Sequence, residues 1–214
     1  MATLYHAPRS RSFRVLWTLE ELQLPYTLEV LPFPPRAFAK AYLGVNPLGT
    51  VPLFLDKDVR MTESCAICQY LAGRHSPGGL GVLPSERGYS DYLNYLSFGE
   101  ATLMFPLAVY LRYTKVEPSE RRLPQAAEDY RRFFFGRLRN IDALLADGRQ
   151  YICADRFTVA DISVGYSLLF AENNALQAEF PVNVSNYLAR LKSITSFEKA
   201  RQIESSAPLS SLAP

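Results

Sequence analysis

The sequence changes character once, in the segment HSPGGLGVLPSERG at residues 75–88. Four glycines and two prolines interrupt the apolar periodicity there, a composition typical of a linker between folding units. At 214 residues the chain is also longer than most single domains. We therefore predict two domains, residues 1–80 and residues 81–214.

Before this linker, apolar patterns of strand and helix type alternate. The predicted strands are residues 2–6, 26–31, 51–55 and 59–62, and the predicted helices are residues 13–24, 36–43 and 64–75. Because a helix joins the first two strands, residues 2–31 form a βαβ unit with parallel strands. The order βαβαββα predicts an α/β domain.

Beyond the linker, every apolar pattern has helical spacing. The predicted helices are residues 85–115, 123–147, 158–175, 183–193 and 196–205, so this domain is all-α. Pro106 should kink the first of them. In FTVADI, at residues 157–162, Thr158 and Asp161 have the spacing of a capping box, so we interpret both as structural.

Composition argues against several classes of partner. The 23 basic and 21 acidic residues give a net charge of +2, so nothing in the charge favours nucleic acid. No apolar run approaches the ~18 residues of a membrane span, and the N-terminus lacks the apolar core of a signal peptide. Three cysteines do not make a disulfide framework, and His6 and His75 lack partners at metal spacing. We predict a cytoplasmic protein with no metal and no membrane partner.

Two motifs in the first domain point to ligand binding. Pro52 opens a predicted strand and has no N–H for the ladder, so it either blunts an edge strand or leaves nearby backbone for a ligand. Glu63 and Ser64 stand at a helix start, where free N–H groups and the helix dipole favour an anion. Both residue types are also ordinary helix caps.

Four motifs in order resemble the soluble glutathione transferases: YHAPRSRSFR after the first strand, NPLGTVP before the third, TES at the third helix and FTVADI in the helical domain. The resemblance is to a bacterial-like, serine-type member. It implies a thioredoxin-like N-terminal domain, an all-α C-terminal domain and a two-fold homodimer. It also implies a cytoplasmic enzyme of detoxification that uses glutathione as co-substrate.

The resemblance implies how glutathione is held. The bond before Pro52 is cis in the family, and the Val51 backbone then pairs with the cysteinyl part of glutathione. Ser64 takes the γ-glutamyl carboxylate, and Glu63 takes the ammonium group. Arg11 either stabilises the thiolate, pairs with the glycyl carboxylate or faces solvent.

The segment after the first strand suggests the chemistry. Thioredoxins carry Cys-x-x-Cys there, whereas this chain has Ser10-Arg11-Ser12, so the reactive thiol belongs to the ligand. A free thiol with a pKa near 8.5 is only about 3% thiolate at pH 7 and needs a hydrogen bond to ionise. We favour Ser10, four residues before Arg14, as the activating hydroxyl. Ser12 and Tyr5 are alternatives, and either serine can instead cap the helix.

The electrophile pocket is expected between the domains, beside the long first helix of the second domain. Tyr110, Arg112 and Tyr113 are the candidates because their polar ends favour water or a ligand. Cys65 and Cys68 match Cys-x-x-Cys but lie on a helix, so we interpret them as packing residues, with a redox role for Cys65 as the alternative.

The predicted function is conjugation of reduced glutathione to small hydrophobic electrophiles through a hydrogen-bonded thiolate. One alternative is a glutathione-dependent disulfide or peroxide reductase, or an isomerase. The other alternative, of a different class, is a binding or scaffold protein that keeps the fold without catalysis.

Overall fold

A mixed four-stranded sheet forms the centre of the N-terminal part of the computed structural model, which describes residues 1–212. Its strands are β1 (Ala2–His6), β2 (Tyr26–Val30), β3 (Leu53–Asp56) and β4 (Val59–Met61), in the order β2-β1-β3-β4. β1 pairs parallel with β2 and antiparallel with β3, and β3 pairs antiparallel with β4.

Helices α1 (Ser12–Glu21) and α2 (Pro35–Phe38) lie between these strands, and α3 (Ser64–His75) follows the last of them. The helix predicted over residues 36–43 is short α2 followed by a 3₁₀ turn at Lys40–Gly44. Together with the strands, these elements confirm the predicted order and the thioredoxin-like fold class.

Alternation along β1 sends its side chains to two faces of the sheet. Leu4 and His6 are completely buried on one face. Tyr5 points to the other face, where it packs against a core cluster of Leu31, Ala39, Tyr42 and Leu53. The strand therefore separates the side chain of Tyr5 from that of His6.

The second unit, Val82–Leu191, is helical. It contains α4 (Tyr89–Ser97), α5 (Phe105–Leu111), α6 (Pro124–Leu145), α7 (Val159–Glu172) and α8 (Val182–Lys192). The single helix predicted over residues 85–115 is interrupted by π-helical segments at Phe98–Met104 and Arg112–Val116. Pro106, at the start of α5, follows the first of these segments and cannot donate a backbone hydrogen bond.

Helix α7 is buried along nearly its whole length, and a capping box begins it. The Thr158 N–H donates to Asp161 Oδ2 over 2.9 Å, and the Ala160 N–H donates to Thr158 Oγ1. Asp161 Oδ1 also accepts from the Ile152 N–H and the Tyr187 hydroxyl, each over 2.8 Å. The structural interpretation of Thr158 and Asp161 is confirmed.

The last helix, α9 (Thr195–Ser206), packs on α1. Trp17 Nε1 donates to Ser196 Oγ over 3.0 Å, and the Phe197 ring meets the Trp17 ring edge-on at 5.0 Å. Contacts accordingly group the chain from Lys192 onward with Met1–Gly81. The sequence predicts one helical domain over residues 81–214, and α9 departs from it because its apolar face packs against α1.

Among residues 1–212, no helix combines the length and the apolar character needed to cross a membrane.

Candidate active site

Two serine hydroxyls meet at the start of α1. Ser10 Oγ and Ser12 Oγ are 2.7 Å apart, and the Ser12 N–H donates to Ser10 Oγ over 3.3 Å. Ser10 is 7% exposed, whereas Ser12 is completely buried. Of the two serines, Ser10 is thus the one that keeps some surface in contact with solvent.

Ser12 connects Ser10 to a buried histidine. Its Oγ lies 2.7 Å from His6 Nδ1 and also accepts from the Ala7 N–H over 3.2 Å. The other ring nitrogen, His6 Nε2, faces Glu204 Oε1 at 3.4 Å. That separation is long for a hydrogen bond, and the contact is an ion pair only when the His6 ring is doubly protonated.

Glu204, on α9, is held at this position by further contacts. The Arg9 N–H donates to Glu204 Oε1 over 3.0 Å, and Arg201 Nη1 pairs with Glu204 Oε2 over 2.6 Å. Burial alone would raise the pKa of this carboxyl, but His6, Arg9 and Arg201 together hold that pKa below its usual value. Glu204 is therefore ionised at neutral pH.

Tyr5, the third candidate hydroxyl, has different surroundings. Its ring packs against that of Tyr42 with the centroids 5.2 Å apart. Burial, followed by the charge of Glu29, raises the pKa of the Tyr5 hydroxyl. The structure thus groups Ser10 with Ser12 and places Tyr5 on the opposite face of β1.

The start of α3 carries the predicted γ-glutamyl site. Ser64 is its first residue and is almost completely buried, and its Oγ accepts from Arg14 Nη1 over 3.2 Å. Glu63 precedes it as the N-cap residue, exposed and with no side-chain capping hydrogen bond. The free N–H groups of this helix end favour an anion.

The remaining predicted glutathione contacts lie in loops. The Val51–Pro52 peptide bond is cis, and Val51 precedes the first residue of β3, outside the ladder that pairs Leu53 with Tyr5. Arg11 is partly exposed beside Ser10. The ligand roles of these residues stay predictions.

Tyr110, Arg112 and Tyr113 occupy the end of α5 and the π-helical segment after it. Arg112 is exposed, pairs with Glu117 at 2.8 Å and lies 5.7 Å from the centre of the Tyr113 ring. Arg112 and Tyr113 thus contact each other, and the assignment of all three residues to an electrophile pocket stays a prediction.

The cysteines are separate thiols. Cys65 is partly exposed, and Cys68 and Cys153 are buried. Burial raises the pKa of both buried thiols to about 12. Within residues 1–212, no cluster of three or more His, Cys, Asp or Glu side chains has a geometry suited to a metal ion.

Comparison with known proteins identifies the family. A family model described as Glutathione S-transferase, N-terminal domain, matches residues 9–74. Glutathione S-transferase 3 of Schizosaccharomyces pombe is 36% identical over a match spanning 49% of this chain and 43% of that protein. Glutathione S-transferase hmp2 of Hypomyces subiculosus is 31% identical over 70% of this chain and 73% of that protein. The chain belongs to the soluble glutathione transferase family.

The predicted family is thereby confirmed, and the enzyme class is that of a glutathione transferase. Among solved structures, the glutathione transferase URE2P5 from Phanerochaete chrysosporium has a TM-score of 0.82 at 21% identity, covering 96% of this chain and 95% of that chain. That likeness supports the fold. The bacterial-like, serine-type class stays a prediction.

Sequence reasoning on this glutathione transferase missed His6 and Glu204. His6 was considered only as a metal ligand. Its position two residues after Leu4 on a strand, however, indicates a buried side chain on the inner face, close to the serines that follow. No motif near Glu204 in the sequence indicates its position, because its contact with His6 joins opposite ends of the chain.

Proposed function

We propose that this protein transfers the sulfur of reduced glutathione to small hydrophobic electrophiles, with Ser10 as the hydroxyl that holds the thiolate. The observation that carries this proposal is the contact between the Ser10 and Ser12 hydroxyls, 2.7 Å apart at the start of α1, where Ser10 keeps 7% of its surface exposed and Ser12 keeps none. A serine that accepts from one hydroxyl can donate its own proton to a sulfur anion.

Glutathione itself fits the residues present. Val51, before β3, offers backbone outside the sheet ladder for the cysteinyl part. Ser64, at the start of α3, offers a hydroxyl and an N–H for the γ-glutamyl carboxylate, and Glu63 offers a carboxylate for its ammonium group. The structural neighbour Ure2p5 was cocrystallised with 1-(S-glutathionyl)-2,4-dinitrobenzene, a conjugate of this kind.

The size of the Ser10 effect follows from thiol chemistry. Lowering the thiol pKa by about two units raises the thiolate fraction at pH 7 roughly 25-fold. Nucleophilicity falls along with pKa at a Brønsted slope of about 0.4 to 0.5, so the rate gain shrinks to about threefold. Most of the acceleration must then come from holding the electrophile against the sulfur, the role proposed for Tyr110, Arg112 and Tyr113.

The test measures the ultraviolet difference signal of thiolate when glutathione is added across a pH series. In the unsubstituted protein we expect thiolate near neutral pH, and Ser10→Ala should lose it and lower kcat/KM for 1-chloro-2,4-dinitrobenzene about threefold. Tyr5→Phe is the matched control and should keep the signal. Saturable glutathione binding without thiolate in the unsubstituted protein would contradict the proposal and favour a scaffold protein.

Disulfide reduction through a mixed disulfide with the enzyme is disfavoured by serine at residue 10, because serine cannot supply the enzyme sulfur. The homodimer, the cytoplasmic location and a role in detoxification, which the family resemblance implies, stay predictions.

A further inference from the structure

A line of polar side chains runs from Ser10 to Glu204. Ser10 Oγ contacts Ser12 Oγ at 2.7 Å, Ser12 Oγ contacts His6 Nδ1 at 2.7 Å, and His6 Nε2 faces Glu204 at 3.4 Å. Ser12 and His6 are completely buried, and Ser10 and Glu204 are each 7% exposed. In the proposed function the glutathione sulfur lies at the Ser10 end.

We propose that His6, oriented by Glu204, takes up the thiol proton of bound glutathione through the hydroxyls of Ser12 and Ser10. This inference rests on the proposed function, in which Ser10 contacts the glutathione sulfur. His6 does not touch glutathione, so it and Glu204 are positioning residues, and Ser10 is the residue at the sulfur.

The hydrogen bonds available to the Ser12 hydroxyl allow only two arrangements of the protons between Ser10 and His6. A hydroxyl has one proton and two acceptor sites, and the Ala7 N–H occupies one acceptor site. The remaining proton and acceptor site serve Ser10 and His6, because the competing contact of Ser12 Oγ with the Ala7 carbonyl is longer, at 3.4 Å. The protons thus point either from Ser10 toward His6 or from His6 toward Ser10.

Passing one proton converts the first arrangement into the second. The S–H bond of glutathione breaks, sulfur keeps the electron pair, and the proton goes to Ser10 Oγ. The original Ser10 proton moves to Ser12 Oγ, and the original Ser12 proton moves to His6 Nδ1. Each hydroxyl gives one proton and takes one, so the products are a thiolate and an imidazolium.

The second arrangement places an imidazolium beside a carboxylate. Imidazole is the side chain that takes up protons near neutral pH. The charged groups on the elements around it are Glu204 and Arg201 on α9, Arg14 on α1 and Arg9 in the loop before α1. Of these, the Glu204 carboxylate lies 3.4 Å from His6 Nε2, a contact that becomes an ion pair when the ring takes up a proton. After the conjugate leaves, the proton returns along the same line to water at Ser10.

The chain offers an internal control, because it has two histidines and the second, His75, is exposed at the end of α3. Nitrogen-15 NMR of labelled histidine can follow both rings at neutral pH. Adding glutathione should convert His6 from singly to doubly protonated and leave His75 unchanged. S-Methylglutathione, which has no thiol proton, should leave both rings unchanged.

Substitutions separate this relay from a purely structural role. His6→Asn keeps a hydrogen-bonding group near the Nδ1 position but cannot take up a proton, and Ser12→Ala breaks the line. Both should lower the thiolate signal at pH 7 at least about tenfold without raising the KM for glutathione, and Ser12→Thr should restore it. His75→Asn should behave like the unsubstituted protein.

Two results would overturn the relay while leaving the proposed transferase intact: thiolate that forms while His6 stays singly protonated, or a His6 that is already doubly protonated without ligand. If no thiolate forms in the unsubstituted protein, then the proposed function itself fails. The NMR and ultraviolet measurements together therefore distinguish the two failures.

Discussion

Arg14, completely buried in α1, donates from Nη1 to the Ser64 hydroxyl at the first residue of α3 over 3.2 Å. This contact joins the helix that begins at Ser12 to the helix end proposed to hold the γ-glutamyl carboxylate. Arg14 thus orients a binding residue without belonging to the reacting groups.

The first prediction concerns this contact. Arg14→Met keeps an unbranched stem in the buried site but removes the guanidinium donor, so Ser64 loses its orientation. A charge-assisted hydrogen bond is worth about 1.5 to 3 kcal/mol, so we expect the Kd for glutathione to rise at least about tenfold while kcat changes little. Calorimetric titration measures the Kd. In a cycle with Ser64→Ala, the two effects should not add, and strict additivity would show that Arg14 acts elsewhere.

A second prediction concerns packing between the first π-helical segment and α7. A Cβ built at Gly99 would lie 2.6 Å from the Ser163 carbonyl carbon, so backbone would have to move. We expect Gly99→Ala to lower the free energy of unfolding by about 1 to 3 kcal/mol in urea titrations. Gly136→Ala on α6 is the control, because its nearest atom is the flexible Arg139 guanidinium at 3.6 Å. That variant should gain up to about 1 kcal/mol, and equal losses at both sites would refute the packing argument.

A third prediction concerns thiol reactivity. Cys68 and Cys153 are buried with pKa values of about 12, whereas Cys65 is partly exposed. At pH 8 each buried thiol is roughly one part in ten thousand thiolate. A disulfide reagent should therefore react with one thiol in the folded protein and with three after denaturation. Cys65→Ala should abolish the fast reaction, and a fast phase that survives this substitution would contradict the burial.

A fourth prediction concerns acid stability. The Glu204 carboxyl has a lowered pKa in the folded protein, so it adds stability above the pKa of the unfolded chain and loses that contribution as pH falls through the folded value. Glu204→Gln should thus have a lower free energy of unfolding than the unsubstituted protein at pH 7. The difference between the two free energies should shrink below about pH 4.5. Trp17, the single tryptophan, contacts α9 and can report unfolding by fluorescence.

The control for this pH series is Glu198→Gln, which removes an exposed carboxylate from the same helix. It should follow the unsubstituted protein at every pH. The difference in free energy of unfolding between Glu204→Gln and the unsubstituted protein should depend on pH. If it does not, Glu204 contributes through its shape and not through its charge.

Most of the fold can be predicted from short-range patterns of apolar residues in the sequence. The order βαβαββα and the helices of the second unit follow from spacings within ten or twenty residues, and the structure confirms them. The π-helical segments escaped prediction because their apolar spacing is close to that of an α-helix. The burial of Arg14 also escaped it, since charged side chains are ordinarily exposed.

Some residues of the candidate site can also be predicted from short-range patterns, and others cannot. Ser10, Ser12, Glu63 and Ser64 are neighbours in sequence or stand at helix ends, so motifs could point to them. The contact of His6 with Glu204 depends on α9 returning to α1, which no short-range spacing encodes.

The return of α9 to α1 also sets an order of events during synthesis. The helical unit is continuous in the chain, so all of Val82–Leu191 is available before the ribosome has made the helix that covers Trp17. Until then the earlier-made sheet unit exposes Phe13 and Trp17, the aromatic rings that Phe197 later meets. The part of the chain made first is therefore the part completed last, and a chain that ends before residue 192 leaves His6 without its carboxylate.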